Sequence, residues 1–566
     1  MGYDTMRMRT IVILVMAVAM MGVVYGNGAT REEQKLQEFI EAHVSKIKPL
    51  YKAASLAYWD AATTGKPEYY DKVSELEIEI RKIYSNAEEF KFLKGLKESG
   101  QVEDAILVRQ LDRLYNAYLK NQIEPQLMER IVKLATKTEE KFSTFRGKID
   151  GREVTDNEIR EILRKDINSE KRKKAWLASK EVGDVVSADL VELVKLRNEG
   201  ARKVGFGNFH LLSLAIGEQD AAEVDRIFDE LYEATKEPYA RLKAEVDEAL
   251  AKKYGVSVEE LRPWHYHDPF FQERAIIYDV DLDVYYEGKD VREIATRFYA
   301  GIGLPVESIL AGSDLYERKG KNPHAFCTDI DREGDVRILC NLKNNEQWME
   351  TILHELGHGV YDKYHDFDVP YLLREPAHIF TTEATAMFFG RLCDNAAWMQ
   401  QMLGLTDEEK SEIEKVSGRY ARLKQLIFAR WATVMYEFEK RLYANPDVDL
   451  NKLWWELVEK YQFVKRPQGR NEPDWAAKIH FTTSPCYYHN YVLGELFASQ
   501  LERYIVREVL KEKTGREISY VNQPKVGEYL RERIFEEGAV YHWKEMIKRA
   551  TDEPLMVKYF VDEFVK

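Results

Sequence analysis

Long apolar runs are almost absent from this sequence. The one exception, residues 11–24, follows two arginines and ends just before Gly26. It is shorter than the roughly 20 residues that span a bilayer, and its surroundings are typical of a secretory signal. We therefore predict a signal peptide over residues 1–26 and an exported protein (periplasmic, extracellular or on the outer surface), without stable membrane insertion once the signal is removed. If the segment is not cleaved, it anchors the protein to a membrane.

Cysteine is also scarce, with four in 566 residues. That number is too small for a disulfide scaffold. Within residues 327–340, apolar and polar side chains alternate as they do in the two strands of a β-hairpin. A two-residue Glu-Gly turn would place Cys327 directly opposite Cys340, within reach of a disulfide. The environment of an exported protein permits such a bond. We predict that bond, and we predict that Cys393 and Cys486 are buried thiols.

Positive charge is in deficit, since the net charge is −14, and this argues against nucleic acid as a partner. With 45% hydrophobic residues, the chain has enough apolar material for a large core. Apolar residues recur at helical spacing through most of it, only residues 324–343 suggest a sheet, and no stretch has a linker composition. We predict a mainly α fold in one unit, residues 27–566, with N-terminal helices over about 31–205 and a second half over about 206–566.

One segment carries recognisable chemistry: residues 352–362, which read Ile-Leu-His-Glu-Leu-Gly-His-Gly-Val-Tyr-Asp. On a helix, His354 and His358 share one face a turn apart, with Glu355 beside them. This is the H-E-x-x-H arrangement, in which two imidazoles bind zinc and the glutamate acts as a base. The alternative is an amphipathic helix with two incidental histidines. An apolar stripe that would bury them unpaired, and Gly357 placed against them, count against that alternative.

A catalytic zinc site needs a third protein ligand. Glu383 lies 25 residues after His358 (383 − 358), which leaves room for a loop and a second helix that turns this carboxylate back toward the metal. His378 and Glu375 are rival ligands on the same segment. Zn²⁺ is accordingly the predicted cofactor, held by His354, His358 and Glu383.

A second cluster of polar side chains lies late in the chain. It comprises Lys478, His480, Tyr487, Tyr488 and Tyr491. Attack of water on a peptide carbonyl creates an oxyanion that needs preorganised donors, and a terminal carboxylate needs a cation or hydroxyl groups. In a chain with 33 tyrosines, the alternative is that these tyrosines simply pack between helices.

Together these motifs resemble the angiotensin-converting-enzyme family of zinc peptidyl-dipeptidases, with features of the related thimet oligopeptidase and oligopeptidase F family. The resemblance covers about residues 319–496. The first family is matched by His354-Glu355-Leu356-Gly357-His358, Arg374-Glu375 ahead of Glu383, His324-Ala325, Lys478-x-His480 and Tyr487. The oligopeptidases are matched by Gly320-Lys321, Ala325-Phe326-Cys327, His480-Phe481, Tyr488 and Tyr491.

The resemblance implies a role for each of these side chains. The roles are catalytic base (Glu355), oxyanion stabilisation (Tyr491 with His480), contacts to the substrate backbone (His324 and His480), and recognition of the terminal carboxylate (Lys478 with Tyr487). From the residues themselves, Ala325 lies where a β edge would pair with an extended substrate, and Tyr488 competes with Tyr487 for the place that faces the substrate. Two departures matter. The acid that orients a zinc histidine in the first family is Met387 here, so that support must come from elsewhere. The arginine that binds chloride has no counterpart at His489 or Asn490, so the resemblance gives no support for chloride.

The implied fold is a large helical ellipsoid with a deep central channel, the zinc on its floor, the N-terminal helices as a lid and the small β-hairpin near the zinc site. Such a channel admits short unfolded peptides as substrates. The implied reaction is zinc-dependent hydrolysis that releases dipeptides from free C-termini, with oligoendopeptidase activity as the alternative. A catalytically silent peptide-binding protein and an exported zinc-storage protein are the hypotheses from other classes.

Overall fold

Helices make up 69% of the computed structural model, which describes residues 29–278, 280–513 and 518–565. The predicted mainly α fold with a small β-hairpin is confirmed. The predicted signal peptide lies outside the described residues. Within them, no helix combines the length and the apolar character that crossing a membrane requires.

Among the described residues, five helices form the N-terminal part of the fold. They are α1 (Arg31–Thr64), α2 (Pro67–Tyr84), α3 (Ala87–Ser99), α4 (Ala105–Leu119) and α5 (Pro125–Thr144). Thr30 and Glu33 form a capping box at the start of α1, and Gly65, with a φ of 67°, ends it in the left-handed conformation that glycine adopts without strain. Pro67 and Pro125 begin α2 and α5, where a missing N–H has no intrahelical acceptor to lose.

The first four of these helices bury an apolar core of their own. Leu36, Leu93 and Leu111 belong to it, and within the described chain only Tyr371 and Leu372 join it from later segments. Contacts from these helices to the rest of the protein include ion pairs, such as that of Lys52 with Asp331 at 3.0 Å. The N-terminal helices are therefore held together by packing that is largely separate from the main core.

The next segment links this region to the main core. Its elements are β1 (Lys148–Ile149), β2 (Arg152–Glu153), α6 (Asp156–Lys165), α7 (Ser169–Lys203), α8 (Phe209–Ile216) and α9 (Ala221–Tyr254). β1 and β2 pair through two residues each, a ladder too short to leave an alternating pattern in the sequence. α7 packs into the main core through Trp176, Val186 and Leu193. The boundary near residue 205 between a lid and a second half stays a prediction.

The predicted β-hairpin is present, but its register is wrong by two residues. The elements here are α10 (Asp283–Tyr286), α11 (Val291–Gly301), α12 (Glu307–Gly312), β3 (Phe326–Asp329) and β4 (Val336–Leu339). Cys327 faces Ile338 rather than Cys340. The loop has four residues instead of two, because the carboxylate of Asp331 folds it by accepting a 3.2 Å hydrogen bond from the N–H of Asp335. All four cysteines are free thiols, so the predicted Cys327–Cys340 disulfide is wrong.

Three of the remaining helices meet at the centre of the molecule: α13, α14 and α19. The full set is α13 (Glu346–Lys363), α14 (Ile379–Gly390), α15 (Ala396–Leu403), α16 (Asp407–Ala444), α17 (Leu450–Gln462), α18 (His480–Thr483), α19 (His489–Tyr504), α20 (Pro524–Leu530), α21 (Trp543–Thr551) and α22 (Lys558–Phe564). A Cβ added at Gly357 of α13 would lie 2.6 Å from Cα of Ala386 in α14. One added at Gly494 of α19 would lie 2.9 Å from Cβ of Glu383. Glycine at these positions lets the three helices approach closely enough to bring side chains of α13 and α14 together.

Candidate metal centre and substrate cleft

Helix α13 presents the two histidines of the H-E-x-x-H segment. Asn345 caps the helix by accepting a hydrogen bond from the N–H of Trp348, and the apolar side of the helix is buried in the main core. This packing fixes the polar side toward the cleft. Because His354 and His358 lie one turn apart, their Nε2 atoms come within 3.2 Å of each other.

Helix α14 brings a carboxylate to the same place. His378 caps it, its Nδ1 accepting a 3.1 Å hydrogen bond from the N–H of Phe380, so that Glu383 falls one turn into the helix on the side facing α13. Oε2 of Glu383 lies 3.5 Å from Nε2 of His354 and 3.5 Å from Nε2 of His358. The three side chains therefore converge as a set.

These three donor atoms fit a zinc ion. Tetrahedral binding at about 2.0–2.1 Å places ligand atoms roughly 3.3 Å apart, close to the separations observed here. Oε2 of Glu383 is buried, and among the described residues it has no hydrogen-bond partner, which is costly unless a cation faces it. Burial opposes charge on His354, but the neighbouring Glu383 carboxylate outweighs it and raises the pKa of His354 to about 9. The site thus favours positive charge.

The two rival ligands lie elsewhere. Nε2 of His378 lies 2.7 Å from the carbonyl oxygen of Gly217 and so acts as a donor to it. The carboxylate of Glu375 is held by two guanidinium groups, those of Arg113 and Arg332. Their polar atoms are committed to these partners, which leaves Glu383 as the third candidate ligand.

A threonine that carries no motif of its own supports one of the histidines. Nδ1 of His358 lies 2.8 Å from Oγ1 of Thr382, the residue just before Glu383. A hydrogen bond on the far ring nitrogen fixes the ring orientation and leaves Nε2 for the metal. Thr382 therefore supplies the support that Met387, four residues after Glu383, does not. Its position beside the predicted ligand was the signal that could have found it.

Glu355 lies beside the histidines on the wall of the cleft. Its side chain is 7% exposed, and burial raises the pKa of its carboxyl. A carboxylate with a raised pKa is a stronger base toward a water molecule in the cleft. The environment of Glu355 therefore suits proton transfer, whereas Glu383 is placed to bind a cation.

The loop over residues 485–488 and the first turn of α19 place two tyrosine hydroxyls near the metal centre. The hydroxyl of Tyr487 donates a hydrogen bond to Oε1 of Glu383, the oxygen that does not face the histidines. The hydroxyl of Tyr491 lies 3.0 Å from Nε2 of His480. Tyr487 thus contacts a candidate ligand, while Tyr491 and His480 form a pair at the cleft.

Lys478 and Tyr488 lie together at the wall of the cleft. Nζ of Lys478 donates a 2.6 Å hydrogen bond to Oε1 of Gln272 and lies 5.5 Å from the centre of the Tyr488 ring. Burial, together with the charge of Arg160, lowers the pKa of Lys478 to about 7. The hydroxyl of Tyr488 accepts a 2.5 Å hydrogen bond from Nε1 of Trp431. Gln272 was not predicted, because it lies more than 200 residues before Lys478 in a loop without a motif.

Buried polar groups hold the tyrosine loop in a strained shape. Cys486 has a φ of 57°, and its N–H donates a 2.7 Å hydrogen bond to Oε1 of Glu439. Gln219 bonds to the start of α19, with 2.7 Å to Nε2 of His489 and 2.9 Å to Oδ1 of Asn490. These contacts fix which tyrosine faces Glu383 and which faces Lys478.

The cleft itself has a volume of about 310 Å³. The rings of His324 and His480 meet edge to face across it, with centroids 5.3 Å apart. The predicted site residues that line it are His324, Ala325, His354, Glu355, Lys478, His480, Tyr488 and Tyr491. The structure therefore brings the hairpin, the H-E-x-x-H helix and the late loop onto one surface.

A second acidic group on α13 is already neutralised by cations. Glu346, Glu350 and Cys393 place ligand atoms within 4.8 Å of one another. However, Glu346 pairs with Arg274 at 3.1 Å and Glu350 with Lys424 at 2.6 Å. The side chains of Arg274 and Lys424 thus already supply the positive charge that a metal ion would bring to this group.

Two family models match the chain, one in each half. The model described as Angiotensin-converting enzyme matches residues 30–264, and the model described as Peptidase family M3 matches residues 310–566. The chain resembles two peptidase families at once. The predicted resemblance to both is confirmed, and metallopeptidase is the class of enzyme that these matches support.

Individual relatives give the same result at low identity. The angiotensin-converting enzyme of Rattus norvegicus is 24% identical over 405 residues, which is 65% of this chain and 30% of that enzyme. Oligopeptidase PepF of Bacillus subtilis is 24% identical over 297 residues (49% of this chain, 40% of the relative), and Carboxypeptidase 1 of the same organism is 22% identical over 267 residues (43% and 52%). The chain thus spans about a third of the length of the rat enzyme.

Proposed function

We propose that this protein is a zinc-dependent peptidase that hydrolyses short, unfolded peptides. The observation that carries the proposal is the convergence of His354, His358 and Glu383 beside a cleft that also contains Glu355. Two histidines and one carboxylate leave a coordination position open, as catalytic zinc sites do and closed structural sites do not. The similarity to two peptidase families supports the same conclusion.

A zinc ion held by these ligands supplies Lewis acidity, which acidifies water and polarises a carbonyl group. Glu355 accepts the proton of the attacking water and returns it to the leaving amine. Tyr491 and His480, whose polar atoms lie 3.0 Å apart, donate hydrogen bonds to the oxyanion. The hydrolysis needs no covalent intermediate with the protein.

We infer further that dipeptides are released from free C-termini. Lys478 lies at the wall of the same cleft, and its ammonium group donates to a neutral amide, that of Gln272. A substrate carboxylate would give this cation an oppositely charged partner. The ring of Tyr488 lies beside Lys478, whereas the hydroxyl of Tyr487 is hydrogen-bonded to Glu383. This supports Tyr488 as the tyrosine that lies next to the terminal carboxylate of the substrate.

Oligoendopeptidase activity is the second candidate. The similarity of this chain to an oligopeptidase of Bacillus subtilis, and of residues 310–566 to Peptidase family M3, favours it. In either case residues 27–566 act as one catalytic unit, with lid helices over about 31–205 and the catalytic half over about 206–566. Export of the protein is proposed from the apolar segment in residues 1–26 alone.

Cleavage of a quenched peptide library by zinc-loaded protein, followed by mass spectrometry of the products, tests the proposal. Dipeptides released only from free C-termini are the expected result, and internal cuts would establish the oligoendopeptidase instead. A chelator should abolish cleavage. Protein with one zinc per chain that cleaves nothing would refute the peptidase and leave a peptide-binding protein.

A further inference from the structure

A second cavity, of about 180 Å³, lies between the N-terminal helices and the loop of the β-hairpin. Its polar lining includes Tyr51, Tyr84, Arg113, Lys120, Arg332 and Glu375. Helices α1, α2 and α4 contribute one wall, and the β3–β4 loop with the segment before α14 contributes the other. The cavity is therefore formed only when these two parts of the protein are together.

Positive charge is in excess in this cavity. The carboxylate of Glu375 is shared between Arg113 and Arg332, so one negative charge faces two guanidinium groups. Lys120 lines the cavity as a third cation, and among the described residues no carboxylate forms an ion pair with it. The cavity thus has donors and charge to offer to an anion.

The guanidinium group of Arg332 is also held in place. It lies 5.2 Å from the ring centre of Tyr51 and 5.3 Å from that of Tyr371, both within the range of cation–π contacts. A cation that is already positioned loses little conformational freedom when it binds an anion. Arg332 is therefore organised for binding before any ligand arrives.

Strand β3 joins this cavity to the metal centre. β4 occupies one edge of β3, and in the described chain no strand pairs with the other edge. The N–H of Ile330 donates a 2.8 Å hydrogen bond to the carbonyl of Asp335, so the alternating ladder turns the backbone groups of Cys327 and Asp329 toward the open edge. From Ala325 at the cleft to Asp329 is four residues, or about 13 Å of extended chain.

The direction of a bound peptide follows from the position of Lys478. Lys478 lies two residues before His480, whose ring packs on His324 at the cleft end of the hairpin. With the C-terminal carboxylate of a substrate at Lys478, the N-terminal part runs antiparallel along the open edge of β3. Its residues therefore approach Arg332.

We propose that this cavity is a subsite for an acidic side chain of the substrate, about four to six residues before the scissile bond. The inference rests on the peptidase function proposed above. It names a substrate class, peptides with Asp or Glu well before their C-terminus. Free inorganic anions share the same chemistry, and the test separates them.

The test compares kcat/KM for two quenched decapeptides that differ only at one position, about four to six residues before the scissile bond, where one has Glu and the other has Gln. Wild-type protein should cleave the Glu peptide about five- to tenfold better. Lys120→Met and Arg113→Gln should bring the Glu/Gln ratio close to one. The ratio is the readout, because a general loss of activity leaves it unchanged. Lys91→Met, which removes an exposed lysine of α3 outside the cavity, is the matched control and should keep the preference.

Each other outcome has a definite meaning. Equal cleavage of the two decapeptides by wild-type protein, or a preference that survives both cavity variants, overturns the subsite. Phosphate binding that is measured by calorimetry and lost in Lys120→Met, with no Glu preference, shows a site for free anions and also overturns it. A tripeptide substrate, too short to reach the cavity, reports on the peptidase itself: if it and both decapeptides stay intact, the proposed function fails rather than the subsite.

Discussion

Two buried glutamates beside the same pair of histidines have different environments. Oε2 of Glu383 points at Nε2 of His354 and His358, 3.5 Å from each, and no group in the described part of the chain donates a hydrogen bond to it. Glu355 faces the cleft, and burial raises the pKa of its carboxyl. Such a pair of environments separates the tasks of holding a cation and of moving a proton.

Glu355→Gln should therefore keep the metal and lose the reaction. We expect kcat to fall by roughly 10²–10⁴-fold, because an amide cannot accept the proton of water, while zinc content stays near one per chain. Zinc is measured by mass spectrometry and kcat with a quenched peptide. Substantial turnover by zinc-loaded Glu355→Gln protein would show that another group is the base.

Lys478 should set a pH dependence that only free C-termini reveal. Its pKa of about 7 means that it is charged below that pH and neutral above it. The value of kcat/KM for peptides with a free carboxylate should fall as pH rises through about 7, whereas amidated peptides should not follow this titration. Lys478→Ala should lower kcat/KM by about tenfold or more for the free acids and much less for the amides. Equal losses on both would favour the oligoendopeptidase.

The predicted site residues that the structure brings together most directly share a simple geometry. His354, Glu355 and His358 are placed by helical periodicity alone, and the structure brings Glu383 to the two histidines. Thr382 and Gln272 follow no spacing rule, because their roles depend on which neighbour they meet after folding. The choice between Tyr487 and Tyr488 depends on the left-handed backbone at Cys486, which the sequence did not predict.

Among the secondary-structure elements, close approach of α13 and α14 is what assembles the metal centre. Gly357→Ala should therefore destabilise the protein by about 1–3 kcal/mol or more and weaken zinc binding, since its Cβ would meet backbone atoms 2.6 Å away. The control is Gly95→Ala in α3, where an added Cβ meets no atom of the described residues within 4 Å and should stabilise by about 0.5–1 kcal/mol. Denaturant unfolding and zinc titration measure both variants, and a neutral Gly357→Ala would mean that the helices can separate at no cost.

The hairpin shows why an element can be predicted while its register is not. The expected pairing of Cys327 with Cys340 differs from the observed pairing with Ile338 by two residues. A shift of two leaves every side chain on the same face of the sheet, so the alternating pattern is equally compatible with both. Only the length of the turn distinguishes the two registers, and Asp331 lengthens the turn by accepting a hydrogen bond across the loop. The disulfide prediction failed for this reason.

For the whole molecule, metal and folding should be coupled. Zinc that binds the native state stabilises it by RT ln(1 + [Zn]/Kd), about 4 kcal/mol at a thousandfold excess over Kd. Chelation should consequently lower the Tm of the wild-type protein. Glu383→Ala protein should have a Tm that responds much less to zinc or chelator, and a zinc response equal to that of wild type would indicate that a different residue completes the site. Differential scanning calorimetry measures each case.

The separate apolar core of helices α1–α4 has a consequence for how the protein opens. Residues such as Leu36, Leu93 and Leu111 stabilise one another. These helices are connected to the hairpin by ion pairs such as that of Lys52 with Asp331 and by a small apolar cluster that includes Trp59 and Ile330. Cooperative unfolding units often coincide with such supersecondary groups. Backbone amides of α1–α4 should then exchange with solvent deuterium together, at a lower free energy than amides of α13 and α14. This partial unfolding separates the two walls of the second cavity and uncovers the apolar face of the hairpin on which α1 packs, without first dismantling the metal centre.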